Sequence, residues 1–444
     1  MLKKNDIIEI TIDDISIEGA GIERLDGQIV FVAKALPGER VKVKIIKAKK
    51  SFAVGLLQQI VAETVSRVTP LCGVFGKCGG CTLQHLNYEE QVTFKANHIK
   101  QSMKRLGGID IELPDVLAQE NTRHYRNKAA FPVAQIDGRV QAGFYAVRSH
   151  RVVPSDCAIQ SARINEVKNV VVDWANDNGI IAYEEKTDKG VLRHIVVRES
   201  SVGEVMVGVV STKSIVDERL IAALKKVKGV VSIVQNINDK KTNAILGEKN
   251  ITMFGEDYIT EQYEDLKFRA ALPSFLQVNH AQTQRLYKIA LEFADIQATD
   301  VVFDLFCGIG TISLLAAKRA KTVVGIEYVQ SAVDNAEQNA KLNEIINAQF
   351  IAGDAGERLA DAQRMVGAPD TVIIDPPRKG CDADLVDKIC EIAPRRIVYV
   401  SCNPATLARD AALFAEQGYT VENVKGVDMF AHTTHVESVA RLSR

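Results

Sequence analysis

No stretch of this 444-residue chain stays apolar over the roughly 18 residues that a membrane-spanning helix requires. The first residues run directly into strand-like sequence and lack the apolar segment of a secretory signal peptide. Both absences favour a cytoplasmic protein without membrane association. Internal repeats and low-complexity tracts are also absent. Hydrophobic residues make up 46% and charged residues 25% of the chain, so about two or three ordinary globular domains are expected.

The chain carries almost no net charge, with a formal value of −1 at pH 7. A small net charge does not exclude a nucleic-acid partner, because basic residues can be concentrated on one surface. The first 62 residues contain alternating apolar runs separated by turn formers, a pattern typical of a small β-barrel of the OB type. One strand and the loop after it are rich in lysine. These residues form either a solvated strand face or a surface that follows an RNA backbone; they are Lys42, Lys44, Lys47, Lys49 and Lys50.

The cysteines do not suggest a disulfide framework, because such frameworks are rare in cytosolic proteins. Cys72, Cys78 and Cys81 lie close together in a glycine-rich segment, where the backbone can curl so that several sulfurs face one point. Three thiolates in a short loop plus one distant cysteine is an iron–sulfur arrangement, whereas structural zinc more often uses two cysteine pairs. We assign Cys157 as the fourth ligand; the alternative is a group of unmetallated thiols.

After about residue 295 the sequence alternates between strand-like and helix-like segments. Such alternation predicts a parallel sheet covered by helices on both faces. A further helix is predicted at 88–106, where Gly107-Gly108 ends it, and the region from about 120 to 270 mixes strands and helices. In the last part of the chain, strands are predicted at 301–305, 322–326, 349–352, 371–374 and 396–400, with helices at 312–320 and 332–342.

A nucleoside cofactor site is predicted where the first strand of this region meets its helix. Gly308 and Gly310 remove side chains where a ligand must approach the backbone closely. Glu327 ends the second strand, and a carboxylate there can accept both ribose hydroxyls. A dinucleotide-dependent dehydrogenase would show a similar pattern, but Ser313 stands where its third glycine would fall. Asp354 follows the third strand and is positioned to accept from an adenine amino group.

Three reactive side chains follow predicted strands. Asp375 comes after the fourth strand, Cys402 after the fifth, and Glu437 lies in what should be a final hairpin. Methylation of C5 of uracil requires a nucleophile that adds to C6, for which a thiolate is well suited, and a base that removes the C5 proton. Cys402 suits the first role and Glu437 the second, while Asp375 could accept from N3–H of uracil, a donor that cytosine lacks. The alternatives are that Cys402 only packs and that the Asp-Pro-Pro-Arg segment is only a rigid loop.

The order of these motifs resembles the RNA uracil-5 methyltransferase family. The matching segments are Asp-Leu-Phe-Cys-Gly-x-Gly at 304–310, Asp-Pro-Pro-Arg at 375–378, Ser-Cys-Asn-Pro at 401–404 and His-x-Glu-x-Val at 435–439, together with Leu-Gln-Val-Asn at 276–279. RNA cytosine-5 methyltransferases carry a cysteine inside the Asp-x-Pro loop, which this chain does not. The resemblance implies S-adenosylmethionine as cofactor, Cys402 as nucleophile and Glu437 as base. It assigns cofactor or uracil contacts to Gln277, Phe306, Gly308, Thr311, Glu327, Asp354 and Asp375, with Thr311 standing where family members often have Asn.

The N-terminal half sharpens the resemblance. The cysteine group resembles the 4Fe-4S site of the ribosomal RNA branch, and the N-terminal barrel resembles a TRAM domain. The transfer-RNA branch generally lacks both, so the resemblance implies 23S ribosomal RNA as the substrate. Phe275 is expected to stack on the target base or its neighbours once that base is flipped out of its stack. The segment 123–128 interleaves cations with aromatics and is either an RNA contact or a charged strand edge.

We therefore expect three domains: a TRAM/OB-like barrel at 1–62, a central iron–sulfur domain at 63–90 and 120–270, and a methyltransferase domain at 91–119 and 271–444. The expected fold class is α/β, with a Rossmann-like class I methyltransferase domain whose parallel sheet ends in an antiparallel hairpin, plus a central α+β domain. The expected protein is a monomer that methylates a uridine in 23S ribosomal RNA. The alternatives are the same chemistry on transfer RNA, an NAD-linked iron–sulfur oxidoreductase, which the missing third glycine disfavours, and an RNA-binding module with a degenerate catalytic domain, which the presence of Cys402 and Glu437 disfavours.

Overall fold

The computed structural model describes residues 1–444 and begins with a barrel-like sheet of six strands. Apolar side chains of its longer strands alternate inward, as Val41, Val43 and Ile45 show, while Lys42 points to solvent. The strands are β1 (Ile7–Thr11), β2 (Asp14–Ile15), β3 (Ala20–Leu25), β4 (Gln28–Ala33), β5 (Arg40–Ala48) and β6 (Phe52–Ala62), in the sheet order β1-β5-β6-β4-β3-β2.

A long helix and a short strand follow the barrel in sequence, and both pack against the C-terminal part of the chain. Helix α1 (Tyr88–Gly107) confirms the helix predicted from the sequence, and strand β7 (Val116–Leu117) comes after it. Asn87 caps the helix by accepting from the Glu90 amide at 2.9 Å, and Gly108 ends it in the left-handed conformation.

The central region is a seven-stranded sheet with two helices. The core between them consists mainly of aliphatic side chains of the sheet and of the first helix. The strands are β8 (Lys128–Ile136), β9 (Arg139–Tyr145), β10 (Val152–Pro154), β11 (Leu192–Glu199), β12 (Val205–Ser211), β13 (Val230–Ile237) and β14 (Lys249–Gly255), and the helices are α2 (Ala162–Asp177) and α3 (Glu218–Leu224). The sheet order is β10-β9-β8-β11-β12-β13-β14.

Seven strands from the last part of the chain join β7 in an eight-stranded sheet with helices around it. A hairpin of β15 (Tyr258–Tyr263) and β16 (Leu266–Ala271) and helix α4 (His280–Ala294) lead into it. The remaining elements are β17 (Val301–Leu305), α5 (Thr311–Ala317), β18 (Thr322–Glu327), α6 (Gln330–Leu342), β19 (Ala348–Ala352), α7 (Ala355–Val366), β20 (Thr371–Ile374), α8 (Ala383–Glu391), β21 (Arg396–Ser401), α9 (Pro404–Glu416), β22 (Thr420–Val427) and β23 (Glu437–Ser443).

The order of this sheet is β19-β18-β17-β20-β21-β23-β22-β7. Strands β17 to β21 are parallel, β23 runs antiparallel to β21, and β22 runs antiparallel to β23, which confirms the expected parallel sheet with a C-terminal antiparallel hairpin. Strands β17, β20 and β21 are buried along their whole length, as central strands covered on both faces must be. All carboxyl ends of the parallel strands meet at one edge.

Helix α1 belongs spatially to this C-terminal sheet. A side chain at Gly107 would meet the Ala408 carbonyl oxygen of α9 at 2.8 Å, so only glycine permits this close approach. Lys95 of α1 forms a fully buried ion pair with Asp428, with 2.6 Å between Nζ and Oδ1, and the Tyr88 hydroxyl donates to Asp428 Oδ2 at 2.7 Å. The loop between β22 and β23 is therefore anchored by α1, which lies more than 300 residues earlier in the chain. No helix combines the length and apolarity that crossing a bilayer demands.

Candidate active site

The turn after β17 exposes its backbone to open space. Phe306, Gly308 and Gly310 all adopt left-handed conformations, with φ of 66°, 56° and 83°. Only the first of these carries a side chain, and a Cβ at Gly308 would meet nothing within 4 Å. The Gly308 amide donates to Glu327 Oε2 at 3.1 Å, which holds the turn against the end of β18. A ligand can therefore approach the backbone at Gly308 and the amino terminus of α5.

Two expected cofactor carboxylates stand at neighbouring strand ends. Glu327 pairs with Ala352 at the ends of β18 and β19, and Asp354 follows two residues later. Glu327 Oε1 also accepts from the Val329 amide at 2.9 Å. Asp354 is exposed and caps α7 by accepting from the Gly356 amide at 2.9 Å, so it has a structural task as well.

Two further expected cofactor contacts, Gln277 and Thr311, are both buried. Gln277 is buried in the loop between β16 and α4, where its carbonyl accepts from the Asn127 side chain at 3.4 Å. The buried Thr311 hydroxyl shares a hydrogen bond with the Tyr287 hydroxyl at 3.2 Å. Phe275, in contrast, has 69% of its surface exposed, so its ring is accessible from solvent.

Asp304 is a buried acceptor that the sequence analysis did not single out. Its Oδ2 accepts from the Ser313 hydroxyl, but Oδ1 is buried without a hydrogen-bond partner. Burial raises the pKa of Asp304 to about 7. Its place at the head of the Asp-Leu-Phe-Cys-Gly motif was the available signal. A carboxyl group with one unpaired oxygen beside an open backbone suits a ligand that carries hydroxyl, amino or ammonium donors.

The three reactive side chains meet at the carboxyl edge of the sheet, which we term the catalytic edge (Asp375, Cys402 and Glu437). Ser401 of β21 pairs with Ser438 of β23, and one more step in that antiparallel register places Cys402 opposite Glu437. Cα atoms of such opposed residues lie about 4.5–5.5 Å apart. Asp375 comes directly after the last residue of β20, the neighbour of β21.

The two loops of the catalytic edge are bound to each other. The Asn403 side-chain amide donates to the Arg378 carbonyl at 3.2 Å, and the Thr406 hydroxyl donates to the same oxygen at 3.4 Å. Ser401 Oγ accepts from the Asn403 amide at 3.1 Å, which closes the turn that carries Cys402. Asn403 also caps α9, whose first residue is Pro404, so the helix start is well defined.

Burial raises the pKa of all three groups of the catalytic edge. Burial, with the Asp375 charge adding to it, raises the pKa of Glu437 to about 8, and its Oε2 has no hydrogen-bond partner. Burial also raises the pKa of Asp375 to about 7. The pKa of Cys402 rises to about 11 because of burial and the Glu437 charge. Arg378 opposes the shifts of Cys402 and Glu437, a role the sequence analysis did not assign to it.

The four cysteines expected to hold a cluster line one cavity of about 310 Å³, which we term the cysteine cavity. The Gly79 amide donates to the Tyr145 carbonyl at 2.9 Å, which pins the cysteine loop to β9. Burial raises the pKa of Cys78, Cys81 and Cys157, that of Cys81 to about 12, and charges on the neighbouring thiols raise each of them further. The cavity also contains Arg378, Phe430 and His435, and thus adjoins the catalytic edge.

No group of three or more His, Cys, Asp or Glu side chains is arranged to hold a metal ion. What the structure shows is four thiols that line one cavity.

His432 connects the cysteine loop to the strand that carries Glu437. Its carbonyl accepts from the amides of Thr82 and Leu83, both at 2.9 Å, directly after Cys81. Its ring accepts from the Gln91 side chain of α1 at 3.3 Å. In the segment 123–128, the Tyr125 hydroxyl donates to the Ala431 carbonyl at 3.0 Å, so part of that segment braces the same loop.

The fold and site define a class I S-adenosylmethionine-dependent methyltransferase. The crystal structure of a Pyrococcus abyssi tRNA (uracil-54, C5)-methyltransferase in complex with S-adenosyl-L-homocysteine is similar, with a TM-score of 0.80, 27% identity and coverage of 98% of this chain and 100% of that one. The family model of tRNA (uracil-5-)-methyltransferases matches residues 87–444, and that of the TRAM domain matches residues 2–57. This chain belongs to the tRNA (uracil-5-)-methyltransferase family.

Relatives support the same conclusion over the whole length. An uncharacterized RNA methyltransferase of Clostridium acetobutylicum is 42% identical over 451 residues, covering 100% of this chain and 98% of the relative. Another, of Halalkalibacterium halodurans, is 42% identical over 450 residues, covering 99% of this chain and 98% of the relative. The expectation of an RNA-modifying methyltransferase rather than an oxidoreductase is thereby confirmed.

Proposed function

We propose that this enzyme methylates C5 of a uridine in 23S ribosomal RNA through a covalent bond between Cys402 and C6. The observation that carries the mechanism is the antiparallel register that opposes Cys402 to Glu437, a buried carboxyl group with one unpartnered oxygen. A nucleophile and a base on the same edge of the sheet are the two groups that this reaction needs.

In the proposed reaction Cys402 Sγ adds to C6, and the electrons of the C5–C6 double bond move toward O4. S-adenosylmethionine, when bound, would supply an electrophilic methyl group to C5, and the electron pair of the broken methyl–sulfur bond would leave with S-adenosylhomocysteine. Glu437 then takes the C5 proton, the double bond forms again, and the C6–sulfur bond breaks with the electron pair returning to Cys402. Arg378 favours the thiolate that begins the sequence.

Asp375 is proposed to read the uracil edge. Asp375 lies at the catalytic edge with part of its surface exposed, and its carboxyl group can accept from N3–H, which cytosine lacks. The target base reaches this depth only if it is flipped out, and the exposed Phe275 is proposed to stack on it or on a neighbour. We propose that S-adenosylmethionine binds at the turn after β17 and is held by Gln277, Phe306, Gly308, Thr311, Glu327 and Asp354.

We propose a 4Fe-4S cluster bound by Cys72, Cys78, Cys81 and Cys157. The support is that all four thiols line one cavity. Protein purified without oxygen should contain iron and absorb visible light, and chelation should remove both signals. Stoichiometric zinc without iron would contradict this proposal.

The choice of 23S ribosomal RNA rests on the pairing of a TRAM domain with the cysteine cavity in one chain. The barrel at 1–62 and the central domain at 63–90 and 120–270 are proposed to bind RNA around the methyltransferase domain at 91–119 and 271–444. Transfer RNA is the second candidate, favoured by the likeness to the Pyrococcus abyssi enzyme.

RNA that carries 5-fluorouridine tests the mechanism, because fluorine at C5 cannot leave as a proton does. The parent protein with S-adenosylmethionine should form an adduct with a 23S fragment that survives denaturing electrophoresis, and Cys402→Ala should form none. Cys390→Ala, which alters a buried thiol of the hydrophobic core, is the matched control and should form the adduct normally. Adduct formation by Cys402→Ala would disprove the mechanism. Adducts with transfer RNA but not with the 23S fragment would show that transfer RNA is the substrate.

A further inference from the structure

A second cavity, of about 370 Å³, lies in the central region at one end of strands β8, β9 and β11, outside the catalytic edge. Phe144 lines both this cavity and the cysteine cavity, which in turn reaches Arg378 of the catalytic edge. The three spaces therefore follow one another along the molecule. The volume lies in the range of sites that enclose small aromatic ligands.

Two aromatic platforms line the second cavity. The rings of Tyr145 and His150 are stacked, with 5.4 Å between their centroids, and 41% of the Tyr145 surface is exposed. The guanidinium of Arg193 lies over the Tyr183 ring, 4.6 Å from its centroid. Aromatic rings reinforced by a cation are the surfaces on which unpaired nucleobases stack.

The Tyr183 platform is rigid before any ligand arrives. Arg193 is buried, and its Nη1 donates to the carbonyls of Asn238 and Lys240 at 2.8 and 2.7 Å. Its hydrogen-bonding capacity is thus used to hold the plane of the guanidinium, not to bind phosphate. Stacking on this platform requires little further ordering.

Polar groups in the cavity are available to hydrogen-bond with the edge of a base. His194 Nδ1 is buried and has no hydrogen-bond partner. Burial and the nearby charge of Arg193 lower the pKa of His194 to about 4, so the ring stays neutral and offers one donor and one acceptor. Glu185 also lines the cavity and would repel a phosphate, whereas its carboxylate can accept from the N–H groups of a base.

We propose that this cavity binds an unpaired nucleobase of the RNA substrate, apart from the base that is methylated. Single-stranded RNA is recognised by bases that leave their stack and insert between aromatic side chains. This inference rests on the RNA substrate of the family and not on the covalent mechanism at Cys402. Binding here would hold the RNA across the cysteine cavity.

The test measures the affinity of the full-length protein for a ten-nucleotide single-stranded RNA of random sequence. Tyr183→Ala should raise Kd about tenfold, since stacking on one aromatic side chain contributes this much or more. Tyr183→Phe keeps the ring and loses only a hydroxyl that donates to exposed Asp188, so it should bind within about twofold of the parent. The matched control is Tyr258→Ala, because Tyr258 makes the same kind of pair with Arg269, at 4.5 Å, away from the cavity.

Further measurements keep the result decisive. Tyr145→Ala should weaken binding in the same way, so one misfolded variant cannot decide the outcome, and circular dichroism checks each fold. An abasic oligonucleotide of equal length should be bound equally by the parent and by Tyr183→Ala. Equal loss with the abasic probe, equal loss in Tyr258→Ala, or unchanged affinity in both cavity variants would overturn the proposal.

Discussion

The catalytic edge and the cysteine cavity both bury thiols, but they surround them differently. Cys402 is one thiol facing two carboxyl groups and a guanidinium, at the end of hydrogen-bonded strands. The thiols of the cysteine cavity face mainly one another, on a loop tied to the sheet by an isolated bridge between Cys78 and Ala146. A single thiol beside a base suits addition and elimination, whereas several thiols around one space suit a metal cluster.

Exchanging the two kinds of thiol for serine should separate the regions most clearly. Cys402→Ser should lower the rate of methyl transfer by about 10³-fold or more, because a hydroxyl is a far weaker nucleophile and leaving group, and should leave iron content unchanged. Cys81→Ser should remove the iron with a smaller effect on the rate. Single-turnover methyl transfer and iron per chain are the measurements. If both variants lost the same activity and kept their iron, Cys402 and Cys81 would not differ in function as proposed.

The carboxyl group opposite Cys402 should produce the next largest effect. Glu437→Gln should slow turnover by about 10²- to 10⁴-fold, since proton removal from C5 loses its base. The methylated adduct should then accumulate on ordinary uridine RNA and be visible on a denaturing gel. Glu422→Gln alters an exposed carboxylate of the same hairpin, paired with Arg441, and should show no such adduct. If neither variant accumulated the adduct, a residue other than Glu437 would be the base that removes the C5 proton.

Glu437 should also make stability and activity respond to pH in opposite directions. Its pKa is raised by burial from 4.5 to about 8, so its contribution to folding is fully present below about pH 4.5 and is lost as pH rises through about 8. Relative to the parent, substrate-free Glu437→Gln should gain on the order of 3 kcal/mol between about pH 5 and about pH 9. Thermal unfolding of both proteins measures this difference.

The rate of the parent enzyme should instead increase over the same pH range, because Cys402 and Glu437 must both lose protons. A pH profile of kcat/KM tests this expectation. A stability difference that does not change with pH would show that Glu437 is ionised in the folded protein throughout.

The smallest effect is expected for a thiol that belongs neither to the catalytic edge nor to the cysteine cavity. Cys390 is buried in the hydrophobic core of the C-terminal sheet, so Cys390→Ala should cost about 1 kcal/mol of unfolding free energy through lost packing. Iron content and methyl transfer should match the parent. A loss of iron or of methyl transfer in Cys390→Ala would show that this core thiol also has a functional role.

Local sequence was sufficient to locate the strands that carry the site. Strands β17 and β20 begin and end where the apolar runs do, because buried strands of a parallel sheet must be apolar along their length. The reactive residues could be read from their positions after these strands. The predicted helix at 312–320 proved shorter, since α5 ends at Ala317. The strand pair β2–β3 was missed because Gly19 and its neighbours indicate only a turn.

The connections between distant segments could not be read in this way. Nothing local indicates that His432 receives the amides after Cys81, or that Arg378 borders both the catalytic edge and the cysteine cavity. Such contacts depend on α1 packing against α9, some 300 residues later in the chain, through Gly107. Thr311 shows the same limit, since its bond to Tyr287 belongs to the packing of α4 on the sheet.

The sequence by itself determined the kind of chemistry. Motif order and residue type were sufficient for a methyltransferase sheet, a candidate nucleophile in Cys402, a candidate base in Glu437 and a separate set of four cysteines. Only the tertiary structure decided how these groups act on one another. Strand register opposes thiol to carboxyl, and burial in a shared low-dielectric edge sets their pKa values, because both depend on residues that are distant in the chain and adjacent only after folding.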